Sequence, residues 1–479
     1  MRHSILASIL PLLIPAALMA QERPDFSDEV REFIAVDAPA VLLTNVTVVD
    51  GTGRQQMPNQ AVLIENGRIA QVGTTGDVRA PEGAEILDLD GHTVIPGIVG
   101  LHNHTFYTTM HRIAQLSTSA PRLYLASGVT TIRTTGSYQP YAEINLKRAI
   151  EIGEEAGPRM HLTGPHITGP DQSFDQFAQS MTGVGTAEEA SRVVAYWAEE
   201  GATWFKLSTG IDRAAARAAI EEAHSRGLKV TGHLCSLSYT EAVQLGIDNI
   251  EHGFFFNTDW DPEKEPDHCP PGALTRLADV DLDSPEVAGT IRTMVEAGVP
   301  MTSTLAVAET TLPNRPPLED RVIDVLAPEF AADYLDVREE IAALAAAESP
   351  WIPIWEKALR FERMFHEAGG VLVAGSDPAY LGGTVPGFGD QRNYELLLEA
   401  GFDPLEAIRI MTLNGAIVLG EDDLYGSIEE GKLADIVVIE GDPILHPEEI
   451  RNVRVVFREG VGYDPEALIA SVRGQVGIR

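Results

Sequence analysis

The sequence predicts an α/β protein in which a (β/α)8 barrel, the TIM-barrel architecture, carries a small β-sandwich domain built from both chain ends. Three observations predict this fold. The chain has 479 residues, which suits one large domain and one smaller domain. Strands and helices alternate in the middle of the chain, and short strands without helices fill its two ends. An open, doubly wound sheet is the alternative for the middle part.

The middle part contains eight candidate strands, which are rich in β-branched residues and separated by helical or loop stretches. In chain order they are VIPGIVGLH, GVTTIRTT, RMHLTGPHI, TWFKLST, LKVTGHL, NIEHGFFF, VPMTSTLAV and VLVAGSD. Residues 186–201 and 213–227 have apolar side chains spaced near 3.6 and end in glycine, which is typical of amphipathic helices. Residues 311–352, rich in proline and acidic residues, are predicted to form an inserted lid or interface element.

The two ends of the chain show a different pattern. Residues 40–98 and 426–464 consist of short apolar or alternating runs divided by Gly, Asp and Asn. Neither region is long enough to form a stable sandwich alone, so we expect the two to pair in space. The predicted domains are a signal peptide at 1–20, sandwich segments at 21–98 and 426–479, and a barrel at 99–425.

The first residues, MRHSILASILPLLIPAALMA, are typical of a secretory signal peptide. Arg2 and His3 precede an apolar run that ends in small residues, and cleavage is expected after Ala20. The run is too short to cross a bilayer comfortably. We therefore expect an exported protein, periplasmic or secreted, with no membrane insertion.

Acidic residues dominate the composition. The chain has 71 Asp and Glu against 35 Lys and Arg, a net charge of −36. Such an excess argues against nucleic acid or an anionic membrane surface as a partner. It is consistent with a solubility or saline adaptation, or with attraction of cationic substrates or metal. The expected partner is a small molecule, and a homo-oligomer is left open.

Polar residues fall at the ends of five of the predicted strands. They are His102 and His104 on the first strand, Lys206 on the fourth, His233 on the fifth, His252 on the sixth and Asp377 on the eighth. In a (β/α)8 barrel the C-terminal ends of all strands lie on one face, where active sites are built. The barrel register therefore predicts that these six groups meet in one cavity.

These residue types suit two divalent ions. Alternate residues of a strand face the same way, so His102 and His104 can bind one ion, and His233 and His252 can bind a second. Imidazole and carboxylate suit Zn²⁺ first, with Mn²⁺, Co²⁺ and Fe²⁺ as alternatives. An ammonium has no lone pair, so Lys206 fits such a site as a carbamate, an anion with one oxygen for each ion.

On these residues the chain resembles the amidohydrolase superfamily. The motifs are PGIVGLHNH with its His-x-His, Lys206, His233, His252 and GSDP with Asp377. The flanking runs VLLTNVTVVDGTG and GSIEEGKLADIVVIEGDP are similar to its β domain. Within the superfamily the chain looks like the imidazolonepropionase-related branch, which includes Xaa-Pro dipeptidase-like enzymes and N-acyl amino acid hydrolases. Lys206 makes it similar to the two-metal members.

The resemblance implies a role for each residue. His102, His104 and Asp377 would hold the more buried ion, His233 and His252 the more exposed one, and carbamylated Lys206 would bridge them. It also implies hydrolysis of an amide or dipeptide-like C–N bond, such as that of an N-acyl amino acid or an Xaa-Pro dipeptide, by a metal-bridging hydroxide. Asp377 would accept the proton of that hydroxide and pass it to the leaving nitrogen.

Three further residues are candidates for contact with the substrate. His166, at the end of the third strand, is predicted to hold a substrate carbonyl or carboxylate, or to bond to backbone as a loop residue. Arg133, at the end of the second strand, is predicted to pair with a substrate carboxylate or with an acidic neighbour. Tyr107 is predicted to donate to the developing oxyanion.

The two cysteines fall on the same face of the predicted barrel. Cys235 follows His233 by two residues, and Cys269 lies in the loop after the sixth strand. A disulfide between them and two free thiols are both open. For the whole chain, alternatives to amide hydrolysis are hydrolysis of a cyclic amide, lactone or ester at the same metal centre, and a non-catalytic binding protein on the same barrel.

Overall fold

The computed structural model describes residues 23–170, 180–344 and 349–478. The predicted signal peptide at 1–20 lies outside these residues. Within them the protein is a mixed α/β structure, and its largest apolar core lies between the central strands and the helices that surround them.

The strands are β1 (Ile34–Val36), β2 (Ala40–Val48), β3 (Met57–Glu65), β4 (Arg68–Thr74), β5 (Glu85–Asp88), β6 (His92–Pro96), β7 (Ile98–Asn103), β8 (Phe106–Thr108), β9 (Ile113–Gln115), β10 (Val129–Thr134), β11 (Arg159–His161), β12 (His166–Thr168), β13 (Thr182–Gly183), β14 (Trp204–Leu207), β15 (Lys229–Gly232), β16 (Asn249–Glu251), β17 (Met301–Ser303), β18 (Leu372–Ala374), β19 (Ile436–Glu440), β20 (Val453–Arg458) and β21 (Val461–Tyr463).

The helices are α1 (Asp28–Arg31), α2 (Ser119–Ala126), α3 (Pro140–Glu151), α4 (Ala187–Glu199), α5 (Arg213–Ser225), α6 (Tyr239–Leu245), α7 (Ala273–Arg276), α8 (Pro285–Glu296), α9 (Leu305–Glu309), α10 (Asp320–Val325), α11 (Pro328–Ala343), α12 (Trp351–Glu367), α13 (Phe388–Glu399), α14 (Pro404–Met411), α15 (Leu413–Leu419) and α16 (Pro465–Ser471). Short 3-10 turns lie at Leu277–Asp279 and Pro447–Arg451.

Helix α5 illustrates why these segments fold as they do. Asp212 caps its first turn by accepting a hydrogen bond from the backbone N–H of Ala215. Alanines and Ile220 on one face are buried, and Gly227 in the left-handed region follows the last turn. The predicted helix at 213–227 is thus confirmed with an end two residues earlier.

The central strands are parallel and form two sheets. One has the order β11-β10-β7, and the other has the order β13-β12-β14-β15-β16-β17-β18. Backbone contacts join the two sheets at both edges. The N–H of Asp377, just after β18, donates to the carbonyl of His102 in β7 at 2.8 Å, and Ser137 forms a parallel bridge with Pro165 between β10 and β12.

Two predicted strands are each divided in the structure. The run VIPGIVGLH forms β6 and β7, which belong to different sheets and meet at Gly97. Pro96 has no N–H to donate to a strand ladder. A Cβ on Gly97 would lie 2.0 Å from Thr130 Oγ1, so only glycine fits there. Pro96 and Gly97 mark the point where the chain passes from one sheet to the other. The run RMHLTGPHI likewise forms β11 and β12, interrupted by Gly164 at φ 62° and by Pro165.

Strands from both ends of the chain share one nine-stranded mixed sheet. Its order is β1-β21-β20-β19-β6-β2-β3-β4, with β5 beside β2. Side chains alternate between two apolar clusters, since Val41 and Leu43 enter one and Leu42 enters the other. The start of β4 also bonds to the segment before β19, because the N–H of Ile69 donates to the carbonyl of Lys432 at 2.9 Å, so the sheet curves back on itself.

The inserted segment that begins at residue 311 contains α10 and α11. Helix α11 packs against the loop that follows β18, where Tyr334 covers Gly382 and Gly383. Asp333 of the same helix accepts a hydrogen bond from Thr109 at 2.7 Å and pairs with Arg112. The insertion is therefore fixed to the segments after β7 and β18. Among the described helices, none has both the length and the apolar character that a membrane span requires.

Candidate metal centre

The candidate site lies at the C-terminal ends of the parallel strands. His102 belongs to β7 and Lys206 to β14, while His233 and His252 directly follow β15 and β16. Asp377 lies three residues after β18. Neighbouring strands are in parallel register, so their ends lie on the same side of the sheets.

His102, His104 and Asp377 form a compact group. Oδ2 of Asp377 is 3.5 Å from Nε2 of His102, and Oδ1 is 3.3 Å from Nε2 of His104. One ligand atom from each of the three lies within 4.8 Å of the others, and all three residues are buried. This group has the residue types and spacing to hold one divalent ion.

Lys206 lies beside this group. Its Nζ is 3.3 Å from Nε2 of His102, and the residue is almost fully buried. In the sheet Lys206 pairs with His166 on one side and Thr231 on the other, which fixes its position in the middle of the strand row. Whether it carries a carbamate stays a prediction.

His252 and His233 continue the row of imidazoles. The His252 ring centroid is 4.5 Å from that of His102 and 4.4 Å from that of His233. Nδ1 of His252 is 3.0 Å from Oγ1 of Thr304, which orients the ring. Nε2 of both His233 and His252 is buried and has no hydrogen-bond partner among the described residues, as expected of an atom placed for a ligand.

Electrostatics favour metal binding over protonation. Burial, together with the nearby charge of Lys206, holds the pKa of His102 well below its usual value and lowers the pKa of His233 to about 3. Burial alone would raise the pKa of Asp377, but its interactions with His102, His104 and Lys206 outweigh burial and leave that pKa below the usual value. Neutral imidazoles around an ionised carboxylate are the form that a divalent cation binds.

Two of these residues have strained backbones. His252 has φ 72° and Asp377 has φ 48°, both in the left-handed region that non-glycine residues rarely adopt. Gly253 follows at φ 60°, where a Cβ would lie 2.6 Å from Oε1 of Glu362. Strain of this kind persists where the surrounding structure enforces it, and it is concentrated at functional sites.

Glu251 is a site residue that the sequence analysis missed. Its Oε2 is 2.7 Å from Nδ1 of His102, and both side chains are fully buried. A carboxylate in this position fixes the ring orientation and the tautomer of a metal-binding histidine, leaving Nε2 for the ion. The signal available in the sequence was the Glu-His pair that ends the sixth strand.

Arg133 is engaged within the protein, and contact with a substrate carboxylate is not supported for it. The residue is fully buried; its guanidinium pairs with Oε1 of Glu251 at 2.5 Å and donates to Oδ1 of Asn249 at 2.8 Å. Its Cζ also lies 4.5 Å from the ring centroid of Trp204. The alternative, an ion pair with an acidic neighbour, is what the structure shows, and it places Arg133 behind Glu251 and His102.

Tyr107 points away from the imidazoles. The side chains of residues 102, 104 and 106 point to one side of the chain, and those of residues 103, 105 and 107 point to the other. Phe106 therefore lies against His104, with 4.3 Å between the two ring centroids. The hydroxyl of Tyr107 instead accepts a hydrogen bond from the N–H of Gly383 at 2.7 Å, and burial raises its pKa. Contact with an oxyanion is therefore not supported for Tyr107, and Phe106 is the residue next to the site.

His166 lies beside the first group. Its ring centroid is 6.1 Å from that of His104, and its buried Nδ1 has no partner in the part of the chain that the structure describes. Gly136 links the two rings, since its carbonyl lies 3.1 Å from Nδ1 of His104 and a Cβ there would lie 2.3 Å from the His166 ring. A role in substrate binding or catalysis stays a prediction for His166.

The two cysteines are joined. Cys235 and Cys269 form a disulfide with a Cα–Cα distance of 4.9 Å, which decides between the two alternatives left open above. It ties the loop after β16 to the segment that follows His233. In that loop Phe256, which sequence reasoning also missed, lies 3.9 Å from His233 between ring centroids.

Comparison with known proteins decides the family. The sequence matches the amidohydrolase family over residues 93–462, more than three quarters of the chain. The chain belongs to the amidohydrolase family. The predicted family is thereby confirmed, and it agrees with the predicted class of enzyme, a hydrolase acting on carbon–nitrogen bonds. The group of His102, His104 and Asp377 could hold a metal ion, which amidohydrolases generally use.

Individual relatives match the chain either over a short stretch or at low sequence identity. The chain is 46% identical over 67 residues to an N-substituted formamide deformylase of Arthrobacter pascens, which is 13% of this chain and 12% of that protein. It is 25% identical over 250 residues to an imidazolonepropionase of Mycolicibacterium smegmatis, 45% of this chain and 60% of that protein. It thus spans less than two thirds of each. An imidazolonepropionase of Micrococcus luteus is 23% identical over 446 residues, 84% and 93% of the two chains.

Solved structures share the fold of this amidohydrolase. A putative prolidase from Bifidobacterium longum superposes with a TM-score of 0.65 at 24% identity, covering 90% of this chain and 98% of that one. A Xaa-Pro dipeptidase with bound methionine gives a TM-score of 0.65 at 21% identity, covering 89% and 100%. A bottromycin amidohydrolase gives 0.69 at 19% identity, covering 95% of each chain.

Proposed function

We propose that this chain is an exported two-metal amidohydrolase that hydrolyses the C–N bond of an amide or peptide-like small molecule. The observation that carries the proposal is a row of four neutral imidazoles, three of which lie beside the carboxylate of Asp377. Successive ring centroids from His104 through His102 and His252 to His233 are 5.4, 4.5 and 4.4 Å apart. Buried imidazole nitrogens without a protein partner are the chemistry that fits a divalent ion.

In the proposed centre the chain's own residues divide between two ions. His102, His104 and Asp377 would hold one, His233 and His252 would hold the other, and carbamylated Lys206 would supply a ligand oxygen to each. Bound Zn²⁺, or Mn²⁺, Co²⁺ or Fe²⁺ in its place, would supply a Lewis acid that polarises the substrate carbonyl and lowers the pKa of a water. Asp377 lies between the two groups and moves the proton from the attacking water to the leaving nitrogen.

The proposal includes the architecture around the site. The two parallel sheets close into one (β/α)8 barrel, with residues 21–98 and 426–479 forming the smaller sandwich domain. The bond from the Asp377 N–H to the carbonyl of His102 and the bridge between Ser137 and Pro165 support closure. In this arrangement all six proposed ligand residues face one cavity.

Export is also proposed. The N-terminal apolar run supports it, and so does the disulfide between Cys235 and Cys269, because disulfides persist in oxidising compartments. Expression of the full chain in a bacterium followed by cell fractionation tests the proposal. We expect a product in the periplasm or medium whose first residue is Gln21, and a product that starts at Met1 in the cytoplasm would overturn export.

A second function is favoured by the relatives named imidazolonepropionase, whose name points to a cyclic substrate. Hydrolysis of a cyclic amide, or of a lactone or ester, would use the same centre. A non-catalytic binding protein is the remaining alternative. Metal analysis and turnover of linear amides, cyclic amides and lactones by the metal-replete protein separate these functions. A metal-free and inert protein would overturn the proposal.

The bridging role of Lys206 has its own test. Without added short-chain acid, Lys206→Ala is expected to lose most activity and one metal equivalent, because the bridging anion is gone. A short-chain carboxylic acid should restore part of both. Lys432→Ala, which changes a lysine outside the site, is the control and should keep both metals. Full two-metal occupancy in Lys206→Ala would overturn the carbamate.

A further inference from the structure

We propose that the preferred substrate is an amide with no carboxylate next to the scissile bond, and that an apolar, preferably aromatic, group of the substrate packs against Phe106 or Phe256. The inference rests on the proposed function and narrows its substrate class. An N-acyl amino acid and a free Xaa-Pro dipeptide both carry a carboxylate next to the scissile bond, so the inference makes both poor substrates. Three independent observations carry it.

The first observation is the charge of the strand-end segments, which follow the C-terminal ends of the central strands and include α7 after β16 and α9 to α11 after β17. Within the described chain they are residues 104–118, 135–139, 169–170, 180–186, 208–212, 233–238, 252–284, 304–344, 349–350 and 375–387. These residues include 19 Asp and Glu but six Lys and Arg. Together with a net charge of −36, they present a field that repels an approaching anion.

The second observation is that the six cations are already engaged. Five of them form ion pairs within the protein: Arg112 with Asp333, Lys264 with Glu241, Arg276 with Asp261, Arg315 with Glu399 and Arg321 with Glu319. The sixth, Arg338, donates to the Tyr334 hydroxyl at 3.3 Å. Arg133, the cation predicted for a substrate carboxylate, is buried against Glu251.

A carboxylate that enters this site would lose its hydration and gain no free guanidinium or ammonium from the strand-end segments. Burying a charge without a partner is strongly unfavourable, whereas an uncharged group of the same size loses little. Only a substrate with a carboxylate next to the scissile bond has to lose the hydration of a charge when it binds. Discrimination of at least about tenfold corresponds to only about 1.4 kcal/mol, far less than an unpaired buried charge costs.

The third observation is the pair of phenylalanines at the two ends of the imidazole row. Phe106 lies 4.3 Å from His104 and 6.5 Å from His166, and Phe256 lies 3.9 Å from His233, all between ring centroids. Phe256 is partly exposed and has φ 65°, a conformation that phenylalanine rarely adopts. A strained aromatic residue beside the ligand rings gives apolar contact area to a substrate.

Two matched pairs of substrates test the proposal with the metal-replete wild-type enzyme. N-acetyl-L-phenylalanine and N-acetyl-2-phenylethylamine differ by one carboxylate, and both release acetate. L-phenylalanyl-L-proline and L-phenylalanyl-pyrrolidide differ in the same way, and both release phenylalanine. We expect kcat/KM to be at least about tenfold higher for the carboxylate-free member of a hydrolysed pair. Equal or faster turnover of the carboxylate-bearing member would overturn the inference and leave the proposed amide hydrolysis intact.

Failure of the proposed function would give a different pattern of turnover. If neither member of either pair is hydrolysed, and no amide of a wider panel of acyl anilides and cyclic amides is turned over, amide hydrolysis itself is overturned and the substrate inference falls with it. Turnover of acyl anilides alone supports both, because an anilide has an aromatic leaving group and no carboxylate.

Three variants sharpen the result. Phe256→Arg supplies the missing cation beside His233 and is expected to shift the kcat/KM ratio of a pair at least about fivefold toward the carboxylate-bearing member. Phe256→Leu keeps the apolar surface and should keep the ratio of the wild type. Arg338→Gln should leave that ratio unchanged. An increase in the preference for the carboxylate-free member in Arg338→Gln would show that Arg338 binds carboxylates and would overturn the inference.

Discussion

The two halves of the imidazole row are held in different ways. In the first half, Nδ1 of His102 and of His104 each has a buried partner, Glu251 and the carbonyl of Gly136, at 2.7 and 3.1 Å. In the second half, His252 is oriented by the Thr304 hydroxyl, and His233 is half-buried beside Phe256. A charged partner positions a ligand ring more firmly than a hydroxyl does.

The difference indicates which ion should be held more tightly. The first half is fixed before any ion binds, and Asp377 already faces both of its rings. In the second half Nε2 of His233 and of His252 lacks a partner within the described chain, so an ion there replaces no protein contact but finds a less rigid pair of ligands. We therefore expect the first half to keep its ion when the second half has lost its own.

The largest effect is expected from Asp377→Asn, because Asp377 joins the two halves. Its carboxylate faces Nε2 of both His102 and His104, and its Oδ2 is 3.8 Å from Nδ1 of His252. The amide keeps the shape but cannot accept a proton, so kcat should fall by about 10²- to 10⁴-fold. Steady-state kinetics on a hydrolysed amide measures this. Asp390→Asn, a buried control whose carboxylate accepts a bond from Asn103, should lose much less. Equal losses in the two variants would remove Asp377 from the reaction.

The next largest effect is expected at Arg133, whose ion pair with Glu251 lies behind the first half of the row. Arg133→Met leaves Glu251 buried without its cation, and breaking one side of a buried ion pair costs about 3–5 kcal/mol of unfolding free energy. Denaturant unfolding measures the loss. Substrate KM in the remaining folded protein should change little, because the guanidinium does not face the substrate. A variant of wild-type stability with a raised KM would restore the substrate-binding role of Arg133.

The metal ligands could be predicted from the sequence, and their supports could not. His102, His104, Lys206, His233, His252 and Asp377 all lie at the ends of parallel strands, and strand ends can be recognised from β-branched runs. Glu251 and Arg133 lie on the same kind of strand, but which way a buried side chain points depends on the register between strands. The apolar run before His102 predicted one strand, and the break at Gly97 depends on contact with Thr130, which is distant in the sequence.

A smaller effect should separate the two halves directly. Glu251→Gln weakens the orientation of His102, and Thr304→Val removes the oxygen that orients His252. Loss of such a supporting bond weakens metal affinity by about 10- to 100-fold, and we expect the larger value for the charged Glu251. Metal content during titration with a chelator measures both ions. Glu251→Gln should lower the affinity of the ion that leaves last in the wild type, and Thr304→Val that of the ion that leaves first. Equal effects on the same ion would contradict the comparison.

The smallest effect is expected at His166, which is buried beside the first half but is not among the proposed ligands. Burial lowers its pKa well below the usual value of about 6.5, so below that pH the unfolded chain binds a proton that the folded chain does not. Its presence should therefore lower the unfolding free energy as pH falls, by up to about 1.4 kcal/mol per pH unit. In metal-free protein His166→Gln should reduce this pH slope by that amount between pH 6 and 5. The same variant should keep both metals when they are supplied, whereas His233→Gln should reduce the slope and lose one metal. If His166→Gln lost a metal, His166 would be a metal ligand, and the first half of the row would contain a third imidazole.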